Sequence, residues 1–89
     1  MYYIYFTDPG HGWLEVTTVD LDNVSLRPSD FSGYSYRQGN TFYLEEDMDM
    51  PLFINAWRAV KGDKVGDNFP IKEVYSSFSF IRNLRSVAA

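Results

Sequence analysis

Arg37–Gly62 reads RQGNTFYLEEDMDMPLFINAWRAVKG, and its hydrophobic period changes partway along. In the first part Phe42 and Leu44 alternate with Tyr43 and Glu45, the two-residue repeat of a half-buried strand. Gly39-Asn40 ahead of it are hairpin-turn residues, because both accept left-handed backbone at low cost. Further on, Phe53, Ala56, Trp57 and Val60 stand at i, i+3, i+4 and i+7, the apolar stripe of a helix with one buried face. The spacing predicts a helix over Asp47–Lys61. Asp47 or Asp49 can cap it, Pro51 fits its first turn, and Gly62 stands at its stop. A strand feeding one dominant amphipathic helix points to an α+β chain.

Working outward, Phe31–Tyr36 reads as the opposing strand of this hairpin. Tyr2–Phe6 is continuously apolar and predicts a central strand buried on both faces. Asp8-Pro9-Gly10 is turn chemistry, and Trp13–Thr17 resumes as a strand, with Leu14 and Val16 facing away from Trp13, Glu15 and Thr17. Val19–Leu26 forms a short helix or a loop that ends before Pro28. Gly62–Asn68 is a polar turn, Ile71–Tyr75 a strand, Phe78–Arg82 a candidate last strand, and the tail to Ala89 is expected to fray. The expected architecture is a single domain, residues 1–89: one antiparallel sheet of roughly four to six strands with the helix packed on one face, in two layers.

Composition narrows the chemistry. The chain has 89 residues, 45% of them hydrophobic and 18% aromatic, which excludes a disordered tail. There is no cysteine, so disulfides, cysteine-based zinc sites and thiol catalysis are excluded. No run reaches the roughly 18 apolar residues of a membrane span, and the first residues lack a signal peptide's basic and apolar regions. The protein is therefore expected to be cytoplasmic, with no membrane association. A net charge of −4 with dispersed Lys and Arg argues against non-specific nucleic-acid binding and suits a basic partner surface.

Three groups of residues are candidates for function. His11, the chain's single histidine, lies in Pro9-Gly10-His11-Gly12 between two strands. It could act as an acid or base oriented by Asp8, contact a ligand or partner, or bond a backbone carbonyl. The two glycines would let the loop adopt positive φ and approach a partner closely. Glu45–Asp49 is acidic enough to hold a divalent cation but lacks the order of a calcium loop, and acids before a helix stabilise its N-terminus. Tyr34, Tyr36 and Tyr43, with Trp13, are expected on an open sheet face away from the helix. That face would stack a nucleotide-like ring with Arg37 or Arg82 on its phosphate, or meet a protein, or carry aromatics only for cross-strand packing. No cofactor or metal is implied.

Three segments taken together, TDPGHGWLEV (7–16), GYSYRQGNTFYLEED (33–47) and SFIRN (79–83), resemble a group of small bacteriophage and mobile-element proteins, over most of the chain from Tyr3 to Arg82. The resemblance carries no activity with it. It implies phage origin, and by analogy an action on host machinery such as inhibition of a defence system. The expectation is a non-enzymatic binding protein that engages a host protein or sequesters a small nucleotide-like ligand. Asp8, His11, Trp13, Tyr34, Tyr36, Arg37, Tyr43 and Arg82 would supply the contacts. The alternatives are a small hydrolase or lyase using His11 with Asp8, and a structural or oligomeric virion-associated component; a homo-oligomer is a further candidate partnership.

Overall fold

The computed structural model describes residues 2–62, 69–77 and 79–88. In chain order the elements are β1 (Tyr3–Thr7), β2 (Gly12–Thr17), α1 (Thr18–Asn23), β3 (Tyr36–Gln38), β4 (Thr41–Glu45), α2 (Asp49–Lys61), β5 (Ile71–Tyr75) and β6 (Arg85–Ser86). The strands form one six-stranded sheet in the order β5-β1-β2-β4-β3-β6. All neighbours are antiparallel except β1 and β5, which run parallel with Tyr3 beside Ile71 and Thr7 beside Tyr75. The α+β class stands, with a mixed sheet. Its parallel pair follows from α2. Parallel strands need a long crossover, usually helical, and α2 carries the chain from β4 across to β5 beside β1, which points the same way as β4.

Local chemistry sets the turns. Thr17 and Asp20 close a capping box that starts α1: the Asp20 amide donates to Thr17 Oγ1 at 3.2 Å and the Thr17 amide donates to Asp20 Oδ2 at 2.8 Å. Gly39, at φ 59°, turns β3 into β4. Gly62, at φ 79°, ends α2, its amide donating to the Arg58 carbonyl at 2.8 Å.

The helix begins at Asp49 rather than Asp47, and neither carboxylate caps it. Glu45 does the nearest equivalent, its two carboxylate oxygens accepting from the amides of Asp47 and Met48, each at 3.0 Å. Asp49 is buried and turns to the loop before β3. It accepts from the Ser32 amide and hydroxyl and from the Ser35 hydroxyl. Ser35 Oγ in turn accepts from the Glu45 amide at 2.9 Å. This network makes residues 31–35 a turn, where sequence alone predicts a strand, and only Tyr36 of Phe31–Tyr36 enters the sheet.

The main core lies between the sheet and the helices: Leu14, Val16, Phe42 and Leu44 from the strands, Leu21 and Val24 around α1, and Phe53 and Trp57 from α2. The predicted helical stripe is correct through Trp57, but Val60 is 58% exposed on the last turn of α2. β1 is half-buried, one place from the sheet edge, where sequence alone predicts a central strand buried on both faces.

A second cluster, Trp13, Tyr43 and Ile81 with Phe6, Tyr36 and Leu84 against it, fills the other face. The face expected to be open is covered by the C-terminal segment. Phe80–Asn83 is a 3₁₀ turn capped by Ser79, whose hydroxyl accepts from the Ile81 amide, where a strand is predicted over Phe78–Arg82. Phe78 and the predicted turn residues 63–68 lie outside the described residues. Instead of fraying, the tail adds β6 to β3. No helix among the described residues is long and apolar enough to cross a membrane.

Candidate functional site

The loop joining β1 to β2 is a closed turn. The Asp8 amide donates to the His11 carbonyl at 2.9 Å, and Asp8 Oδ1 accepts from the amides of Gly10 at 3.0 Å and His11 at 2.9 Å. The same carboxylate takes both prongs of Arg82, Nε at 2.6 Å on Oδ2 and Nη2 at 2.9 Å on Oδ1. The Arg82 guanidinium, followed by the two backbone amides, holds the Asp8 carboxyl well below the usual carboxylate range, and Asp8 holds the Arg82 guanidinium charged more firmly still. Asp8 is 7% exposed, and its carboxylate takes the His11 backbone amide; among the described residues it makes no hydrogen bond to the imidazole it was expected to orient. Oδ1 takes the two turn amides and Arg82 Nη2, and Oδ2 takes Arg82 Nε, so the His11–Asp8 pair named in the hydrolase alternative is not made here.

Neither glycine of this loop has positive φ. A Cβ on Gly12 would fall 2.6 Å from Tyr5 Cζ and 2.8 Å from Cε1, and one on Gly10 would fall 3.2 Å from Arg82 Nη2. Both positions are small because this molecule's own side chains lie against them. The positive φ expected at these two glycines is not found.

His11 is exposed, its ring 5.8 Å from that of Trp13 and tilted 41° to it. The two rings open onto a groove of about 300 Å³ lined by His11, Trp13, Tyr34, Tyr36, Glu45 and Arg82. A more apolar extension of about 270 Å³ continues past Tyr34 to Asp47 and Met48. Trp13 forms the floor at 2% exposed, with Tyr36 edge-on to it at 6.4 Å. The Arg82 guanidinium carbon stands 5.5 Å from the indole centre. Tyr34, 69% exposed, is a free wall.

Five of the eight residues singled out by sequence line the groove: His11, Trp13, Tyr34, Tyr36 and Arg82. Asp8 stands behind them on Arg82. The other two lie elsewhere. Arg37 is on the helix-side face, its guanidinium carbon 4.7 Å from the centre of the Phe42 ring and Nη2 donating to the Gly39 carbonyl. Tyr43 is 5% exposed, packed edge-on against Phe6 and Phe80. Burial, reinforced by the Glu15 carboxylate, pushes its hydroxyl up to about 12, so it is a neutral core phenol. Neither is placed to meet a ligand in the groove.

Sequence reasoning weighs Glu45–Asp49 only as a cation site or as helix-start acids and does not place Glu45, Asp47 and Met48 beside the tyrosines. The signal for Glu45 was present, because it shares the alternation of Tyr43 and pairs with Trp13 in register. A larger cavity of about 360 Å³ lies between α1 and the end of α2, beside Tyr3 and Trp57, and includes none of the eight. Among the described residues no three His, Asp or Glu side chains converge in metal-binding geometry. No protein-family model, curated protein or solved structure matches the chain, so the reading of the site rests on its geometry.

Proposed function

We propose that the chain is a non-enzymatic binding module that engages a partner protein through the groove between the β1–β2 loop and Tyr34. The observation carrying this reading is the gathering of His11, Trp13, Tyr34 and Tyr36 around one concave, partly apolar surface. Tyr and Trp anchors flanked by arginine are the composition of protein-recognition hot spots. A nucleotide-like ligand is less well served. Arg37 lies on the opposite face, Arg82 is committed to Asp8, and the remaining charged groups at the groove, Glu45 and Asp47, would repel a phosphate. The resemblance to phage and mobile-element proteins supports a host-cell protein as the partner, with inhibition of a defence system as one consequence of binding.

The test places a photo-crosslinking phenylalanine analogue at Tyr34 and, as control, at Val60, both exposed. Cross-linking is followed by reconstitution of the captured complex from purified components. The expected result is one adduct of defined mass from position 34 only, with Tyr34→Ala and His11→Ala each weakening the reconstituted complex by about 1–3 kcal/mol while melting like the wild type. Equal, heterogeneous labelling from both positions would remove the groove as the recognition surface.

A further inference from the structure

We infer that the groove is built to take a cationic side chain, an arginine guanidinium, presented by the partner. The inference rests on the proposed binding role and names what that surface recognises. Glu45 is the starting point. It is 8% exposed and lines both lobes of the groove. Its two oxygens each accept one backbone amide, which leaves lone pairs on both. Among the described residues no Lys or Arg pairs with it. A carboxylate this far out of water is ordinarily matched by a cation, because desolvation of an uncompensated charge is costly. Arg82, the one Lys or Arg lining the groove among the described residues, gives Nε and Nη2 to Asp8, and that bidentate pair is charge-neutral.

Removing that neutral pair leaves Glu45 and Asp47 as the groove's net charge, set among aromatic rings. A guanidinium satisfies both features at once. Its fork reaches a carboxylate while its plane lies on an aromatic face, which an ammonium point charge does less well. The molecule already makes this combination internally, where Arg82 bonds Asp8 and stands over the Trp13 ring. Tyr34 and Tyr36 offer the equivalent faces to an incoming side chain, and Met48 at the far end meets its aliphatic stem. The overall charge of −4 draws a basic partner surface toward the molecule before contact.

The test is an NMR titration of the full chain with N-acetyl-arginine methylamide, beside the isosteric uncharged citrulline analogue and the shorter apolar norleucine analogue. The arginine probe should saturably shift the Trp13 indole N–H and the amides of Glu45, Asp47 and Met48, at least tenfold more tightly than citrulline. Asp47→Asn and Tyr34→Ala, both at exposed positions, should each weaken it severalfold with the remaining spectrum unchanged. Glu45→Gln should weaken it more, and if that variant unfolds, Asp47→Asn still decides. Equal binding of all three probes would overturn the cation inference and leave the groove as a binding surface. Saturable shifts confined to other surfaces, or none, would also overturn it, while the cross-linking at Tyr34 separately decides the binding role.

Discussion

Replacing Gly12 with alanine tests whether the β1–β2 loop is shaped by the interior of the molecule or by a partner. The added methyl would overlap the distal ring atoms of Tyr5, with Cζ at 2.6 Å and Cε1 at 2.8 Å. The backbone at Gly12 imposes no strain of its own, because its φ is not positive. The atoms in the way belong to the far end of a side chain, so the ring can swing aside, and the cost is set by what it gives up. Tyr5 Oη donates to Glu46 Oε2 at 2.7 Å, and the ring packs on the main core. Burial of the ring, and after it the bond to Glu46, push the Tyr5 hydroxyl well above its ordinary range, so near neutrality it is protonated and donates. A hydrogen bond to a charged acceptor contributes about 1.5–3 kcal/mol, and partial exposure of Tyr5 favours the low end. With the weaker packing of the displaced ring included, the cost comes to about 2 kcal/mol, or a melting temperature lower by roughly 8–16 °C for a domain of this size. The assay is a double-mutant cycle by thermal and urea unfolding, with Gly12→Ala and Tyr5→Ala singly and combined. In the Tyr5→Ala background the Gly12 substitution should cost less than about 0.5 kcal/mol, since nothing remains for the methyl to displace. If Gly12→Ala melts like the wild type, or costs the same in both backgrounds, the close approach of Tyr5 does not explain this glycine.

Trp57→Ala should destabilise the protein by about 3–5 kcal/mol in urea unfolding, because Trp57 belongs to the main core and meets the Phe69 ring edge-on at 4.9 Å; an unchanged midpoint would mean that α2 buries a different face. Asp8 predicts a signature in acid. Its folded-state carboxyl titrates below the ordinary value of about 4 for an unfolded aspartate, so the stability it contributes is fully present above about pH 4 and is lost as pH falls toward its folded value. The gap in melting temperature between wild type and Asp8→Asn should therefore be widest near neutrality and narrow steadily below pH 4, and a gap independent of pH would show that the Arg82 pair contributes no charge-linked stability.

The parts of this fold written in local pattern were legible from sequence. The alternation of Phe42 and Leu44 against Tyr43 and Glu45, and the helical spacing of Phe53 and Trp57, each need only a few neighbouring residues to be read, and each is where it was expected. The parallel β1–β5 pair was also implied, because a strand, a long helix and a strand in succession favour a crossover, but reading the sheet as wholly antiparallel passed over it. The covering of the far face had no local signal. It depends on Arg82 reaching Asp8 across 74 residues and on Ile81 seating beside Trp13 and Tyr43. Segments as short as 79–83 carry too few residues for a period to separate strand from turn. The turn at residues 31–35 was hidden for a related reason: Ser32 and Ser35 leave the strand to satisfy Asp49, a partner 14 to 17 residues away.

The covering of that face is what confines the proposed recognition surface to the groove. Had the tyrosines lain on an open sheet, a flat surface spanning Trp13, Tyr36 and Tyr43 would have offered stacking to any planar ligand. With Ile81, Leu84 and Phe80 seated there, the margin between the β1–β2 loop and Tyr34 is left as a concave groove among the described residues. Nearly every residue of that loop is accounted for by folding. Asp8 holds the turn and Arg82, Gly10 makes room for Arg82, and Gly12 makes room for Tyr5. His11 also gives its backbone to the turn, its amide to Asp8 Oδ1 and its carbonyl to the Asp8 amide. Its imidazole has no hydrogen-bond partner among the described residues and projects over the groove beside the Trp13 ring. A tightly built turn that spends its backbone and its aspartate internally, yet carries the chain's single imidazole outward to a groove with an unmatched carboxylate, has the form of a rigid display. Its stiffness lowers the entropy lost when a partner binds, and that is the physical reason to place recognition on this loop and not on the C-terminal segment that the same aspartate holds down.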